Sequence, residues 1–301
     1  MSIAGGFAQA ASKTGEVYGC NAMQIFTKSP RGGSIKPIDP ADAAEFKSLC
    51  QRFKINHVFA HSSYLLNFAK SIKSSPWMKE NILLDFQRLH ALGGHGVVVH
   101  IGKALETERK KAIQTIVENA KSIIELTQDY PLQYILENTA GQGSEIGYKL
   151  EELAEVWKGL EGFSPRLKTC LDTAHIWAAG YDIGTVEGAQ KLWKEYDQII
   201  GVKNLACLHF NDSKKPLDSR LDRHENIGVG FIGVTGLTEI ARLAGHDSIP
   251  LILETPDEID RGSKTKNQTS LEDVPLGEAV SLEKPPGNHA EDIQTVKGFW
   301  K

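Results

Sequence analysis

Short apolar runs in this sequence end repeatedly in a side chain able to hold a metal ion. Val58-Phe59-Ala60 leads to His61, and Val97-Val98-Val99 leads to His100. Ile135-Leu136 leads to Glu137, Cys170-Leu171 to Asp172, Cys207-Leu208 to His209, and Ile252-Leu253 to Glu254. His175 follows Asp172 by three positions, and Asp222-Arg223-His224 adds two more candidates at D-x-H spacing. A single histidine is more often a surface or structural residue, and His57, His90, His95, His246 and His289 are read that way. The recurrence is another matter, since histidines and carboxylates are uncommon at buried strand positions. Five His, two Asp and two Glu suit zinc, or zinc partly replaced by manganese or iron. They are too many for one tetrahedral ion and fit a cluster of two or three. Cys170 and Cys207 each stand two residues before a candidate ligand, so they point inward one layer below it and read as core filling.

These groups can meet only if the strand ends share one face. The apolar runs Ala22–Phe26, His57–Ala60, Val97–Val99, Tyr134–Leu136, Leu167–Leu171, Leu205–Leu208 and Pro250–Leu253 alternate with helical patterns such as Lys79–Leu92 and Glu106–Thr127. That alternation indicates βαβ units and a parallel sheet. Near-even spacing favours a TIM (β/α)8 barrel, whose C-terminal strand ends all face one mouth. A doubly wound nucleotide fold would want G-x-G-x-x-G after its first strand, and none follows the first strand here. The barrel accounts for residues 1–301 as one domain, with two irregularities. A small-residue helical pattern from about Gly5 to Thr14 should follow a strand, but only Met1–Ile3 precede it, so the first strand reads as truncated. Residues 261–288, rich in Ser, Thr, Pro, Gly and charge, read as a flexible insertion loop, and 289–300 as a closing helix.

The 301 residues include 34 Lys and Arg against 38 Asp and Glu, for a net charge of −4. By itself that argues against a nucleic-acid binder, which usually carries a basic excess. No run of about 18 apolar residues spans a membrane, and the start has neither a basic n-region nor an apolar h-region. With only four cysteines and no C-x-x-C pair, no disulfide framework or zinc ribbon is expected. An intracellular, reducing setting follows.

The sequence resembles the endonuclease IV type of apurinic/apyrimidinic endonuclease, a trinuclear-zinc TIM barrel that repairs DNA. The resemblance runs from Ser2 to about Asp257 and is carried by Leu136-Glu137-Asn138-Thr139-Ala140-Gly141-Gln142-Gly143, Leu171-Asp172-Thr173-Ala174-His175, His209-Phe210-Asn211-Asp212, Asp222-Arg223-His224 and Leu253-Glu254-Thr255. It implies that His61, His100 and a bridging Glu137 hold one zinc. Glu137, Asp172, His209 and Glu254 would hold the second, and His175, Asp222 and His224 the third. Glu137 and Glu254 would be catalytic, with Glu254 orienting or deprotonating the attacking water. Arg31, Tyr64 and Leu65 match side chains that enter double-stranded DNA around a flipped abasic nucleotide, and Arg223 sits where the family contacts phosphate. The activity implied is hydrolysis of the phosphodiester 5′ to an abasic site by a monomeric enzyme, in base excision repair. It would leave a 3′-hydroxyl and a 5′-deoxyribose phosphate. Three Zn²⁺ would bring the net charge to about +2 if the ligand histidines stay neutral, so the acidic balance does not exclude DNA.

The sequence departs from the family in places. The usual first strand survives only as Ser2-Ile3-Ala4-Gly5-Gly6, so either the barrel lacks a strand, another segment fills the gap, or the true start lies upstream. Ile101 replaces a proline after His100, Gly32-Gly33 a polar pair after Arg31, and Val229 a glutamate in Gly228-Val229-Gly230. Lys28, Lys214, Lys215 and Arg220 join Arg31 and Arg223 as basic residues on strand-end loops. Two rival readings remain. A metal-dependent sugar isomerase or epimerase on the same barrel would leave His175 and Asp222-x-His224 unexplained. A metalloprotein that binds damaged DNA without cutting it would need the same ligands.

Overall fold

The computed structural model describes residues 1–32, 35–163, 166–256 and 288–299. Seven parallel strands run in one sheet: β1 (Ala22–Ile25), β2 (His57–His61), β3 (Gly96–His100), β4 (Gln133–Glu137), β5 (Leu167–Asp172), β6 (Leu205–His209) and β9 (Leu251–Ile252). Each pairs with the next in chain order, which wraps the sheet into a nearly closed TIM barrel. A short antiparallel ribbon, β7 (Asp212–Ser213) with β8 (His224–Glu225), stands above β6.

Helices between the strands form the outer ring. They are α1 (Phe7–Ser12), α2 (Pro40–Arg52), α3 (Pro76–Ala91), α4 (Arg109–Leu126), α5 (Leu150–Gly159), α6 (Thr173–Ala178), α7 (Val186–Ile199), α8 (Gly233–His246) and α9 (His289–Gly298). In α4, Ala112, Ile113, Ile116, Ala120, Ile123 and Ile124 are buried at the three-and-four spacing of an amphipathic helix. Caps fix the helix starts. Asp39 accepts from the Ala41 amide, Thr185 from Gly188, Asn288 from Glu291, and Asp172 from His175.

The barrel interior follows the two-residue period of a strand. Phe59, Val98, Ile135, Cys170, Cys207 and Ile252 form a buried cluster of their own, one residue from each of six strands. Each lies two positions before a candidate ligand, so the ligands make the next layer, at the mouth. Cys170 and Cys207 are thus core residues, with the Cys170 thiol pushed well up by burial and by its partner Cys207. Strand register levels the layer, because His100 pairs with Glu137 and Asp172 with His209.

The sheet begins at β1 and ends at β9, and among the described residues these two strands are not laterally paired. Met1–Ile3 form no strand, and the Met1 amine donates to the Gln24 carbonyl at 2.5 Å, at the mouth end of this seam. Below it, a cavity of about 630 Å³ opens between the two strands and α9, lined by Met23, Ile249, Leu251, Ile293 and Val296. Among the described residues no strand precedes β1, and the seam between β1 and β9 stands where the sequence reading placed a shortened first strand. Helix α9 is anchored by Asp292, which accepts from Asn226 Nδ2 and the Ile227 amide, each at 2.8 Å. The insertion expected over 261–288 lies outside the described residues except Asn288.

Candidate metal centre

Glu137, fully buried at the end of β4, is the hub of the mouth. Its Oε2 lies 3.0 Å from His61 Nε2 and 3.1 Å from His100 Nε2. Its Oε1 lies 2.8 Å from His209 Nδ1 and 3.6 Å from His175 Nδ1. Glu254 Oε2 is 3.2 Å from His209 Nδ1, and Asp172 Oδ2 is 3.4 Å from His224 Nε2. Asp222 Oδ1 stands 3.3 Å from both His175 Nε2 and His224 Nε2. All nine side chains singled out in the sequence therefore converge.

They fall into overlapping groups whose donor atoms lie within 4.8 Å of one another: His61, His100 and Glu137; Glu137, Asp172, His209 and Glu254; His61, His209 and Glu254; and Asp172, His175 and His224. Asp222 flanks the last group, and Glu137 belongs to the first two.

The proton arrangement of the histidines suits metal binding. A ligating imidazole normally gives its other N–H to an oxygen, which fixes the tautomer and turns a lone pair toward the ion. His61 Nδ1 faces the Ser62 carbonyl at 2.7 Å, His175 Nδ1 the Asn138 carbonyl at 3.0 Å, and His224 Nδ1 the Glu254 carbonyl at 3.2 Å. His209 is reversed: its Nε2 faces Gln24 Oε1 at 2.9 Å, leaving Nδ1 toward Glu137. The inward Nε2 atoms of His175 and His224 are buried and have no hydrogen-bond partner. Both lie within 3.3 Å of Asp222 without hydrogen-bond geometry, as two donors aimed at a common point would be. Buried orphan nitrogens are rare in folded proteins, and a cation between them and the carboxylates accounts for both.

Charge tells the same story. Burial alone would raise the Glu137 carboxyl, but His209 and His100 against it hold it well below the usual range. Asp222 and Glu254 are depressed likewise, burial being outweighed by His175 and by His209 respectively. Burial would lower His61, His175 and His209, yet all three are raised by the carboxylates around them.

An outer ring that the ligand pattern does not reveal holds this set in place. Asn138 Oδ1 accepts from the Asp172 amide at 2.7 Å. Asn211 Nδ2 donates to Asp172 Oδ2 at 2.7 Å, while its Oδ1 accepts from the Glu254 amide at 2.8 Å. Asp212 gathers the amides of Gly228, Gly230 and Ile232, each at 2.9–3.0 Å, pinning the loop after His224. A side chain at Gly230 would meet Asp212 Oδ1 at 2.5 Å, so this turn needs a glycine there. The signal available was position: Asn138 follows Glu137 directly, and Asn211 and Asp212 follow His209 within one short run.

The residues expected to meet DNA lie around the mouth. Tyr64 and Leu65, each 49% exposed, line a cleft of about 230 Å³ with His100, Gly102, Lys103 and Glu145. Arg31 is exposed in the loop after β1, and Arg223 is exposed between Asp222 and His224. Ser63 Oγ donates to the Pro30 carbonyl at 2.5 Å and so joins the first two of these loops. Lys28 corrects the sequence reading. It is buried, 2.5 Å from Asp85 Oδ2 on α3, and offers no charge to a ligand at the surface. Arg220 is partly committed, stacked 4.2 Å above Tyr148 and bonded to Asp218.

A family profile described as xylose isomerase-like TIM barrel matches residues 13–274. A Geotalea daltonii protein named "Probable endonuclease 4" is 38% identical over 261 residues, covering 85% of this chain and 90% of its own. The Cenarchaeum symbiosum protein of that name is 36% identical over 259 residues, covering 85% and 91%. The chain belongs to the endonuclease IV family. The crystal structure of endonuclease IV from Thermus thermophilus aligns with a TM-score of 0.75 and 31% identity, over 86% of this chain and 92% of that one. A D-tagatose 3-epimerase-like protein aligns at 20% identity and a TM-score of 0.59, a likeness of fold alone. Among the described residues, no helix of this family member is long and apolar enough to cross a membrane.

Proposed function

We propose that this endonuclease IV family member is a zinc-dependent enzyme that cuts double-stranded DNA at abasic sites. It hydrolyses the phosphodiester 5′ to the lesion and leaves a 3′-hydroxyl and a 5′-deoxyribose phosphate. The observation that carries the reading is the convergence of these overlapping donor groups, with lone pairs turned inward by outer-ring oxygens. His61, His100 and Glu137 would hold one ion; Glu137, Asp172, His209 and Glu254 a second; His175, Asp222 and His224 a third. Bound ions would supply a nucleophile at neutral pH and neutralise charge on the attacking and leaving oxygens.

The chain's own residues do the rest. Glu137 shares its two oxygens between neighbouring groups and thereby fixes their spacing. Glu254, part-exposed at the mouth and with a depressed pKa, is ionised and able to accept a proton from the attacking water. Tyr64, Leu65 and Arg31 project from the rim, where an absent base makes unstacking cheap and the flipped nucleotide leaves a gap to fill. Arg223 offers a cation to a phosphate beside the third group.

The test is a duplex carrying one tetrahydrofuran abasic analogue, with elemental analysis of the same protein. Expected are a single cut 5′ to the analogue, its loss with EDTA and its return with zinc, at about three ions per chain. Full activity with one ion or fewer per chain would refute the trinuclear site. A metal-loaded chain that binds but never cuts this duplex would refute the nuclease reading.

A further inference from the structure

Gln24 lies on β1 at the edge of the open seam and is 7% exposed. Its side-chain Nε2 donates to Glu254 Oε1 at 2.7 Å, and its Oε1 accepts from His209 Nε2 at 2.9 Å. Since β1 and β9 share no ladder bonds among the described residues, this amide ties the two sides of the seam together at the mouth. The match of polarity is complete. A primary amide offers a donor and an acceptor; the carboxylate needs the first and the imidazole N–H the second.

From this geometry we infer that Gln24 is a positioning residue for metal binding. It places the His209 proton on Nε2, so the Nδ1 lone pair faces Glu137 Oε1 at 2.8 Å and Glu254 Oε2 at 3.2 Å. It also holds Glu254 by Oε1, leaving Oε2 turned toward His209. Gln24 thereby organises the group of Glu137, Asp172, His209 and Glu254 without belonging to it. The inference rests on the metal-centre reading and adds a residue that bears no ligand atom for these ions. Neither replacement of similar length does both jobs. Methionine keeps the bulk and loses both hydrogen bonds. Glutamate keeps the acceptor for His209 but sets a second carboxylate against Glu254.

The experiment compares wild-type, Gln24→Met and Gln24→Glu proteins, reading ion release from the zinc-loaded forms to a colorimetric chelator, and the His209 tautomer by long-range ¹H–¹⁵N correlation in the metal-free forms at a pH high enough to leave His209 neutral. Outer-ring partners of ligating histidines are typically worth 10–100-fold in metal affinity. Gln24→Met is expected to release one ion about 10–100-fold faster than wild type, the others unchanged, and to lose the pure Nε2–H tautomer. Gln24→Glu should keep that tautomer and still release the ion faster. Wild-type release and an unchanged tautomer in Gln24→Met would overturn the inference; so would wild-type release in Gln24→Glu, should the methionine variant not fold. If wild-type protein binds no zinc, the metal reading falls, while the tautomer in metal-free protein still decides what Gln24 does to His209.

Discussion

Replacing Glu137 by glutamine is the sharpest perturbation of this site, because it changes charge and donor set at constant size. Glu137 has no exposed surface, and its two oxygens serve opposite sides: Oε2 toward His61 and His100, Oε1 toward His209. An amide presents one oxygen and one NH₂, and an NH₂ does not ligate. Whichever way the amide turns, one of the two donor groups sharing Glu137 loses a ligand and its negative charge. If that removes about 3 kcal/mol of transition-state stabilisation, cleavage of an abasic duplex falls about 10²-fold, at 1.36 kcal/mol per decade. At least one ion should leave with it. The assay is single-turnover incision of the tetrahydrofuran duplex, paired with elemental analysis of the same preparation. A Glu137→Gln protein with wild-type ion content and near-normal incision would refute the bridging role. Lost activity with full ion content would instead assign Glu137 to chemistry rather than binding.

Truncating Tyr64 to Ala should leave ion content unchanged but weaken binding to an abasic duplex by about 1–3 kcal/mol, the usual worth of a base–aromatic stack. Hydrolysis of a small phosphodiester, which needs no flipping, should fall far less; equal losses on both substrates would mean that Tyr64 only packs the site. In metal-free protein His61, His175 and His209 hold their protons above the ordinary 6.5, because nearby carboxylates outweigh burial. The stabilisation they give that state is complete below pH 6.5 and fades as pH rises through their raised values. Zinc needs neutral imidazole, so its binding near neutral pH should expel protons and tighten with rising pH. Calorimetry in two buffers of different ionisation enthalpy measures this, and a proton release of zero would contradict it.

The barrel and the convergence of the candidate ligands were legible because both break a simple pattern in the same place. Six apolar runs stop at a polar residue of one chemical kind, and the two-residue period of a strand puts the preceding core residue one layer down. Asp222-x-His224 was legible from spacing alone, although it leads into a two-residue ribbon, not a barrel strand. Gln24, Asn138 and Asn211 were not, since an amide near a strand end has many uses and its partners lie far away in sequence. Lys28 was misread for the same reason. A lysine in a loop looks solvated until Asp85, on a helix three elements later, is found against it. That no strand run stands ahead of β1 was visible in the sequence, but the way Met1 and Gln24 meet at the mouth of the seam depends on which carbonyl the Met1 amine reaches.

The pairing of buried charge separates this mouth from the rest of the molecule. Elsewhere buried or half-buried carboxylates meet full cations or amide donors: Asp85 meets Lys28, Glu152 meets Arg109, and Asp212 and Asp292 meet amides. At the mouth, the ion pairs of Glu137, Asp172, Asp222 and Glu254 are all with imidazoles, whose charge is optional. Leaving buried carboxylates without compensation costs several kcal/mol, and protonating the histidines meets that cost only while the pH is low enough. A divalent cation meets it at any pH where imidazole is neutral, and it uses the same inward lone pairs. The outer amides and carbonyls then have a single consistent purpose. They keep the protons of His61, His175, His209 and His224 on the far nitrogen, so that the side facing the carboxylates is free for an ion.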